Sequence, residues 1–534
     1  MSEKILVTVK EGKIRGVKQF STFSGVEYYS FYGVPYGQPP IDNLRFKDPV
    51  KVKPWKEVLD ATAEQPGCSQ FSLLSYEYLG TEDCLFNNIY IPKMPKKNEN
   101  LRPVIVNIHP GALHFGTPHS THYGSPQFIM HHDTVYVCIS YRLHILGFLN
   151  LGLKECSGNQ ALKDIILSLK WIKENIHSFG GDPDNVTLIG SSSGAGLVNI
   201  LMLSPAARGL FHKAVIMGSY VLSPVVPFRD TNKDVGLDVA LTLGYQDDPK
   251  DSKKILLFLR KQEPLMLIEQ CRRCQKAAQE TIAAILPIAA FSPTIDPVVI
   301  PDSPKNLVPS ITKIPTMVGF SQKESVLGFV RTQRAQTEKN FNASFRQNAW
   351  GWGYNLSDKD VKLINKEMEM FYTNGQPLKN APLPLKVDIQ SDISMSEIYD
   401  TVINPISKDL PSSVFVYLFE FEGNIFTMNT TLKTVLDEPL KGTLHATDFS
   451  YWNRIGDPGD KDAHQMVHTF TKLITTFARN GDPNYEEFSI KWRPSTPETP
   501  CYLSINKPFA MVDGKLNNDR LEFWDTIKKK YKKE

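Results

Sequence analysis

The chain has 534 residues, 60 Lys and Arg against 57 Asp and Glu, a net charge of +3, and 41% hydrophobic residues. A charge this small over so long a chain provides no field for gripping nucleic acid or an anionic membrane, and the apolar content excludes a disordered or collagenous chain. Large α/β enzymes exceed the usual domain length, so residues 1–534 are read as one domain with a large core.

The N-terminal apolar run from Ile5 to Val9 is broken by Lys10 and lacks the h-region of a secretory signal, which leads to the expectation of an intracellular chain. Seven cysteines at scattered spacing fit reduced thiols, or at most one bridge such as Cys68 with Cys84. Pro103–Ile108 and Thr134–Ser140 are β-branched runs of strand length. Leu162–Phe179 carries Ile165, Ile166, Leu169, Ile172 and Ile176 at helical spacing. Asn185–Ile189 and Lys213–Met217 read as further strands. Strands alternating with helices imply βαβ units and a largely parallel sheet covered on both faces, with ligand sites beyond the carboxyl ends of the strands.

Downstream, Cys271 and Cys274 form a lone CxxC, read as two helix-surface thiols rather than a zinc site. The longest uncharged stretch, Thr281–Ile295, contains Pro287 and Pro293 and reads as buried core, being shorter than the roughly 20 residues a membrane-crossing helix needs. Pro377–Pro384 reads as a loop, and the basic tail Lys528–Lys533 as a solvated helix end. Four Asn-x-Ser/Thr triplets begin at Asn185, Asn342, Asn355 and Asn429 and matter only in a secreted chain. His109, His114, His119, His122, His131 and His132 supply metal-binding groups, but there is no HExxH and Pro118 breaks a shared helix face, so no metal is expected.

The chemistry-bearing motif is Gly190-Ser-Ser192-Ser-Gly194, a G-x-S-x-G at the end of a strand and the start of a helix-capable segment. Such a nucleophile elbow needs glycines beside the serine because the turn is too tight for Cβ atoms, and it aims the N–H of Ser193 at a developing oxyanion. A second strand end runs into the small-residue loop His109–Gly116, where Gly111 and Ala112 can donate N–H groups while Pro110 has none.

Ordered matches spread along the chain add to these motifs: Phe31–Tyr36, Leu44–Phe46, Glu82–Leu85, Tyr141–Leu143 with Leu146–Phe148, Gly158-Asn159, Leu162–Asp164 and Phe179–Pro183. Together they resemble the type-B carboxylesterase and cholinesterase family of α/β hydrolases, most nearly the insect carboxylesterases. The resemblance implies an α/β-hydrolase fold with many loop insertions and ester-hydrolysing chemistry without a cofactor. It places the triad at Ser192, Glu324 and His445 and the oxyanion hole at Gly111, Ala112 and Ser193. Leu113, Phe115, Tyr220 and Val221 are candidates for lining an apolar substrate pocket, by nearness to the motifs. Uncharged esters are the implied substrates, with organophosphates as covalent ligands.

The chain departs from the family's pattern around this site. Pro110, Gly111 and Ala112 stand where three glycines are usual, Ser191 where Glu precedes the nucleophile, Ser193 where Ala follows it, Ser325 where Gly follows the triad acid, and Gly218 at a supporting serine. The expectation is a working esterase that is slow or shifted in substrate range. The rival reading is a non-catalytic binding or adhesion relative, against which the survival of all three triad residues argues.

Overall fold

A computed structural model describes residues 4–72, 77–220, 228, 230–281, 290–330, 338–339, 341, 356–408, 414–423, 433, 436, 438–453 and 459–531. Its backbone is a 13-stranded sheet. The strands that matter here are β1 (Lys4–Val9), β2 (Gly12–Phe20), β3 (Glu27–Pro35), β4 (Phe86–Ile91), β5 (Arg102–Ile108), β6 (Val135–Ile139), β7 (Gly181–Ser191), β8 (Lys213–Met217), β9 (Thr316–Ser321), β10 (Val414–Phe419), β11 (Cys501–Ile505) and β12 (Ala510–Asp513). They lie in the order β1-β2-β3-β4-β6-β5-β7-β8-β9-β10-β11-β12, with Leu59–Asp60 beside β2. From β6 to β11 every neighbouring pair is parallel, while the outer pairs are antiparallel except that Leu59–Asp60 runs parallel to β2.

The central strands read as continuous apolar runs because both faces are covered. Val104, Val106, Leu188, Ala214, Ile216, Val318, Val416 and Leu418 enter the core on one face, and Ile105, Ile189, Val215, Met317, Phe415 and Tyr417 that on the other. The helices Gln160–Asn175 and Ser193–Leu203 contribute to the first core, and the helix Lys461–Asn480 to the second.

The register sets the carboxyl edge. Ile108 pairs with Gly190, Ser191 with Met217, Met217 with Gly319, and Ser321 with Phe419. Residues 109, 192, 218 and 322 therefore leave the sheet side by side, which is where open parallel sheets place ligands.

Several sequence expectations need adjustment. β7 begins at Gly181 rather than Asn185, because Gly181 pairs with Arg102 across a register shift. The predicted helix starts at Gln160 and tightens into a 3-10 turn over Ile176–Phe179. Leu383 already opens a helix to Ile398, so Pro377–Pro384 is only partly loop, and Pro384 occupies the first turn, where a missing N–H costs nothing. Cys271 is buried in the helix Pro264–Thr281, not on its surface. Lys528 is buried too, its Nζ donating to Ser396 O (3.1 Å) and Asp400 Oδ2 (2.6 Å), so the basic tail is a solvated end only in part. Of Thr281–Ile295, residues 282–289 lie outside the described residues, and Ala290 and Phe291 are buried. Asn342, Asn355 and Asn429 lie outside them as well. The side chain of Asn185 is engaged with the Arg479 carbonyl and with Lys213.

Cys68 and Cys84 form a disulfide with the sulfurs 2.03 Å apart. No helix among the described residues is long and apolar enough to cross a membrane.

Candidate active site

Ser192 follows β7 directly and precedes the helix Ser193–Leu203. Its φ of 53° and ψ of −128° lie in a region that costs an L-residue about 1–3 kcal/mol. The flanking glycines make the turn possible. A Cβ on Gly190 would meet the Gly194 carbonyl carbon at 2.5 Å, and one on Gly194 would meet Ile108 O at 2.2 Å. Ser192 N donates to Met217 O at 2.9 Å, which ties the strained residue to β8.

His445 joins the elbow from another part of the chain. Its Nε2 lies 2.9 Å from Ser192 Oγ, and its Nδ1 lies 2.5 Å from Glu324 Oε2. Nδ1 carries the proton donated to the carboxylate, which leaves Nε2 as the acceptor for the serine hydroxyl. The other carboxylate oxygen accepts from Ser321 N at 2.5 Å. All three side chains are buried, at 6% exposure for Ser192, 6% for Glu324 and 4% for His445. Ser325 N donates to Ser391 Oγ (3.1 Å), anchoring the turn after Glu324 on the helix Leu383–Ile398.

The electrostatics favour an imidazole that can accept a proton. Burial pulls the His445 pKa down, but the Glu324 carboxylate, through its charge and its hydrogen bond, and Asp448 behind it more than offset this, so the net shift is upward. Asp448 is a charged neighbour of the site to which the sequence motifs assign no role. It is fully buried, with Oδ2 accepting from Tyr417 OH (2.7 Å) and Oδ1 from Phe449 N (2.8 Å). Burial and then the Glu324 charge push its carboxyl up to about 6. Its only signal in the sequence is its place three residues after His445.

Gly218 explains one departure from the family pattern. Its φ is +66°, and a Cβ there would lie 2.9 Å from Glu324 Oε2. In this packing the carboxylate rests against bare backbone and takes its second hydrogen bond from Ser321 N instead. The Oγ atoms of Ser191 and Ser193 are buried without a hydrogen-bond partner among the described residues, so neither hydroxyl supports the histidine.

The loop after β5 stands beside the elbow because β5 and β7 are neighbours in register. Gly111, Ala112 and Leu113 have φ of 133°, 51° and 66°. Gly111 O accepts from the N–H groups of His114 (2.9 Å) and Phe115 (3.0 Å). The loop's two ends are clamped: Tyr141 OH donates to His109 O (2.8 Å), and Gln70 both accepts from Gly116 N (2.7 Å) and donates to Gly116 O (2.8 Å). Such a loop leaves the Gly111 and Ala112 N–H groups without acceptors among the described residues. Ser193 N–H, in the first turn of its helix, has no intrahelical acceptor either.

Of the proposed pocket residues, Leu113 and Tyr220 are buried in the main apolar core, Phe115 is half-buried, and Val221 lies outside the described residues. Among the described residues no group of three His, Cys, Asp or Glu is arranged to hold a metal ion.

The chain is similar along nearly all of its length to known esterases. It is 29% identical over 91% of its length to Esterase E4 of Myzus persicae, covering 88% of that protein. It is 30% identical over 96% of its length to the juvenile hormone esterase of Tribolium castaneum, again covering 88% of the relative. The crystal structure of juvenile hormone esterase from Manduca sexta, with OTFP covalently attached, superposes with a TM-score of 0.82 at 26% identity, covering 99% of this chain and 100% of that one. The profile of the Carboxylesterase family matches residues 3–524. With that match across nearly its whole length, the chain belongs to the carboxylesterase family and is a carboxylic ester hydrolase.

Proposed function

We propose that Ser192 is the nucleophile, His445 the general base and Glu324 the orienting acid of a serine esterase whose oxyanion hole is formed by Gly111, Ala112 and Ser193. The observation that carries the reading is the unbroken line Ser192 Oγ, His445 Nε2, His445 Nδ1, Glu324 Oε2, with separations of 2.9 and 2.5 Å at its two hydrogen bonds.

The steps follow from those contacts. Ser192 Oγ attacks the ester carbonyl carbon as its proton passes to His445 Nε2, and the carbonyl electrons move onto oxygen. Backbone N–H groups in a dry site stabilise that oxyanion without reorganising, and the helix that starts at Ser193 adds its positive end. Collapse expels the alcohol, which takes the proton from His445. Water then attacks the acyl-enzyme by the same route in reverse, releasing the acid. Glu324 and, at longer range, Asp448 stabilise the transient imidazolium.

Uncharged carboxylic esters are the substrates this reading implies, because carboxylic ester hydrolysis is the family's chemistry. An organophosphate places a tetrahedral phosphorus where the carbonyl carbon would sit. Ser192 Oγ displaces its leaving group and retains the phosphoryl group. Diethyl 4-nitrophenyl phosphate tests the assignment. Loss of esterase activity in proportion to one label per chain, mapped to the Ser192 peptide, supports it, and activity that persists in fully labelled protein overturns it.

A further inference from the structure

Two histidines that the chemistry above leaves unused face each other behind the oxyanion loop. His114 Nδ1 and His144 Nδ1 lie 2.6 Å apart, with ring centroids separated by 4.5 Å. One ring must therefore carry its proton on Nδ1 and the other on Nε2. Both rings are buried, and both Nε2 atoms lack a hydrogen-bond partner among the described residues. A second link runs parallel to the first, since His144 N donates to Leu113 O at 3.0 Å.

The backbone gives this pair its meaning. Ala112, Leu113 and His144 all hold positive φ, at 51°, 66° and 53°. Each such residue other than glycine costs about 1–2 kcal/mol, so an unaided loop of this shape would relax. His144 opens the short helix His144–Phe148, which is buried throughout. It is thus a rigid post to which a strained loop is tied at two consecutive residues. Burial lowers the basicity of both imidazoles, which keeps them neutral and fit for a ring-to-ring hydrogen bond at physiological pH.

We propose that His114 and His144 are positioning residues for ester hydrolysis: their paired imidazoles hold residues 111–113 in the strained conformation that aims the Gly111 and Ala112 N–H groups at the tetrahedral oxyanion. The inference rests on the assignment of Ser192 and the oxyanion hole above. Because the donors matter most in the transition state, loosening the tether acts on kcat and leaves KM nearly alone.

The test compares His114→Phe, which keeps a ring and removes the nitrogen, with His144→Asn, which tolerates positive φ and retains hydrogen-bonding groups. Rates on 1-naphthyl acetate are divided by the sites that take up diethyl 4-nitrophenyl phosphate when labelling is carried to completion, so misfolded protein does not count. A simple alkyl trifluoromethyl ketone, which forms a tetrahedral hemiketal on the serine, reports on the oxyanion hole. His114→Phe is expected to lower kcat per titrated site about 10–100-fold, at most the cost of a donor misplaced by about 1 Å and less than that of one lost outright, to change KM less than about threefold, and to weaken the ketone by the factor lost in kcat/KM. His144→Asn is expected to recover most of that loss. The proposal is overturned if His114→Phe keeps the parent kcat per titrated site, or if kcat falls while ketone binding is unchanged. If the parent neither hydrolyses the ester nor takes up the label, it is the assignment of Ser192 that fails.

Discussion

Gly194→Ala is a demanding test of how the site is assembled, because the reason for glycine there is contact and not backbone freedom. A Cβ at this position would lie 2.2 Å from Ile108 O and 2.9 Å from His109 O, where ordinary contact begins at 3.4 Å. Neither oxygen can swing aside, since Ile108 ends a central strand and His109 O accepts from Tyr141. Relief requires the elbow and the head of the oxyanion loop to separate by about 1 Å, and a misplacement of that size costs about 100-fold in rate, or about 2.7 kcal/mol of barrier. The assay is the initial rate on 1-naphthyl acetate, with folding checked by circular dichroism. Gly209→Ala is the control, because that glycine has φ +72° and a Cβ added there would meet nothing within 4 Å, so the substitution brings backbone strain without contact. It should lose about 1 kcal/mol of stability and keep its kcat. If Gly194→Ala stays within about threefold of the parent in kcat, the close fit of elbow against oxyanion loop does not govern the rate, and the reasoning is refuted.

Further predictions address the charges and the clamps. The acid limb of kcat/KM should lie above the ordinary histidine pKa, since His445 must be unprotonated to act and its carboxylate neighbours raise its affinity for the proton. Asp448→Asn removes one of those charges and should move the limb to lower pH, so a limb that stays put or rises would contradict the electrostatic argument. Replacing Cys68 and Cys84 together with serine opens a closure of 16 residues and should cost about 3 kcal/mol, read as a lower thermal midpoint; an unchanged midpoint would count against it. Arg142 and Asp164 pair at 2.6 Å with both side chains buried. Arg142→Met therefore strands a buried carboxylate and should destabilise the fold by about 3–5 kcal/mol in urea titrations, against under 1 kcal/mol if the pair is dispensable.

What can be read from the sequence is what local pattern encodes. β8 is legible to the residue because a strand buried on both faces is a short, mostly apolar run. The elbow is legible because its two glycines are obligatory. β7 reads short, since Gly181-Asp-Pro-Asp has poor strand propensity and joins the sheet through the pairing of Gly181 with Arg102. The burial of Cys271 and Lys528 depends on what packs against their helices, which no helical period reveals. Glu324 and His445 emerge through the family's motifs, because nothing in their spacing marks them as partners 121 residues apart. Asp448 escapes a reading by motif because only the fold buries its carboxyl, holds it on Tyr417 OH and sets its charge against His445. The His114–His144 pair escapes for the same reason, since the two meet only after β6 has crossed beside β5.

The altered surroundings of the site bear on rate as well as mechanism. Gly218 and Ser191 give His445 and Glu324 no side-chain hydrogen bonds, and Ser321 N and Asp448 stand in for them in part. An esterase that works at reduced rate is consistent with that substitution.

The central claim is that Ser192, activated by His445, cleaves esters. The direct measurement is the initial rate of 1-naphthyl acetate hydrolysis by the purified protein beside its Ser192→Ala and His445→Ala variants, each shown to be folded. The account predicts hydrolysis by the parent that falls to background in both variants. Equal rates in parent and Ser192→Ala protein would contradict it.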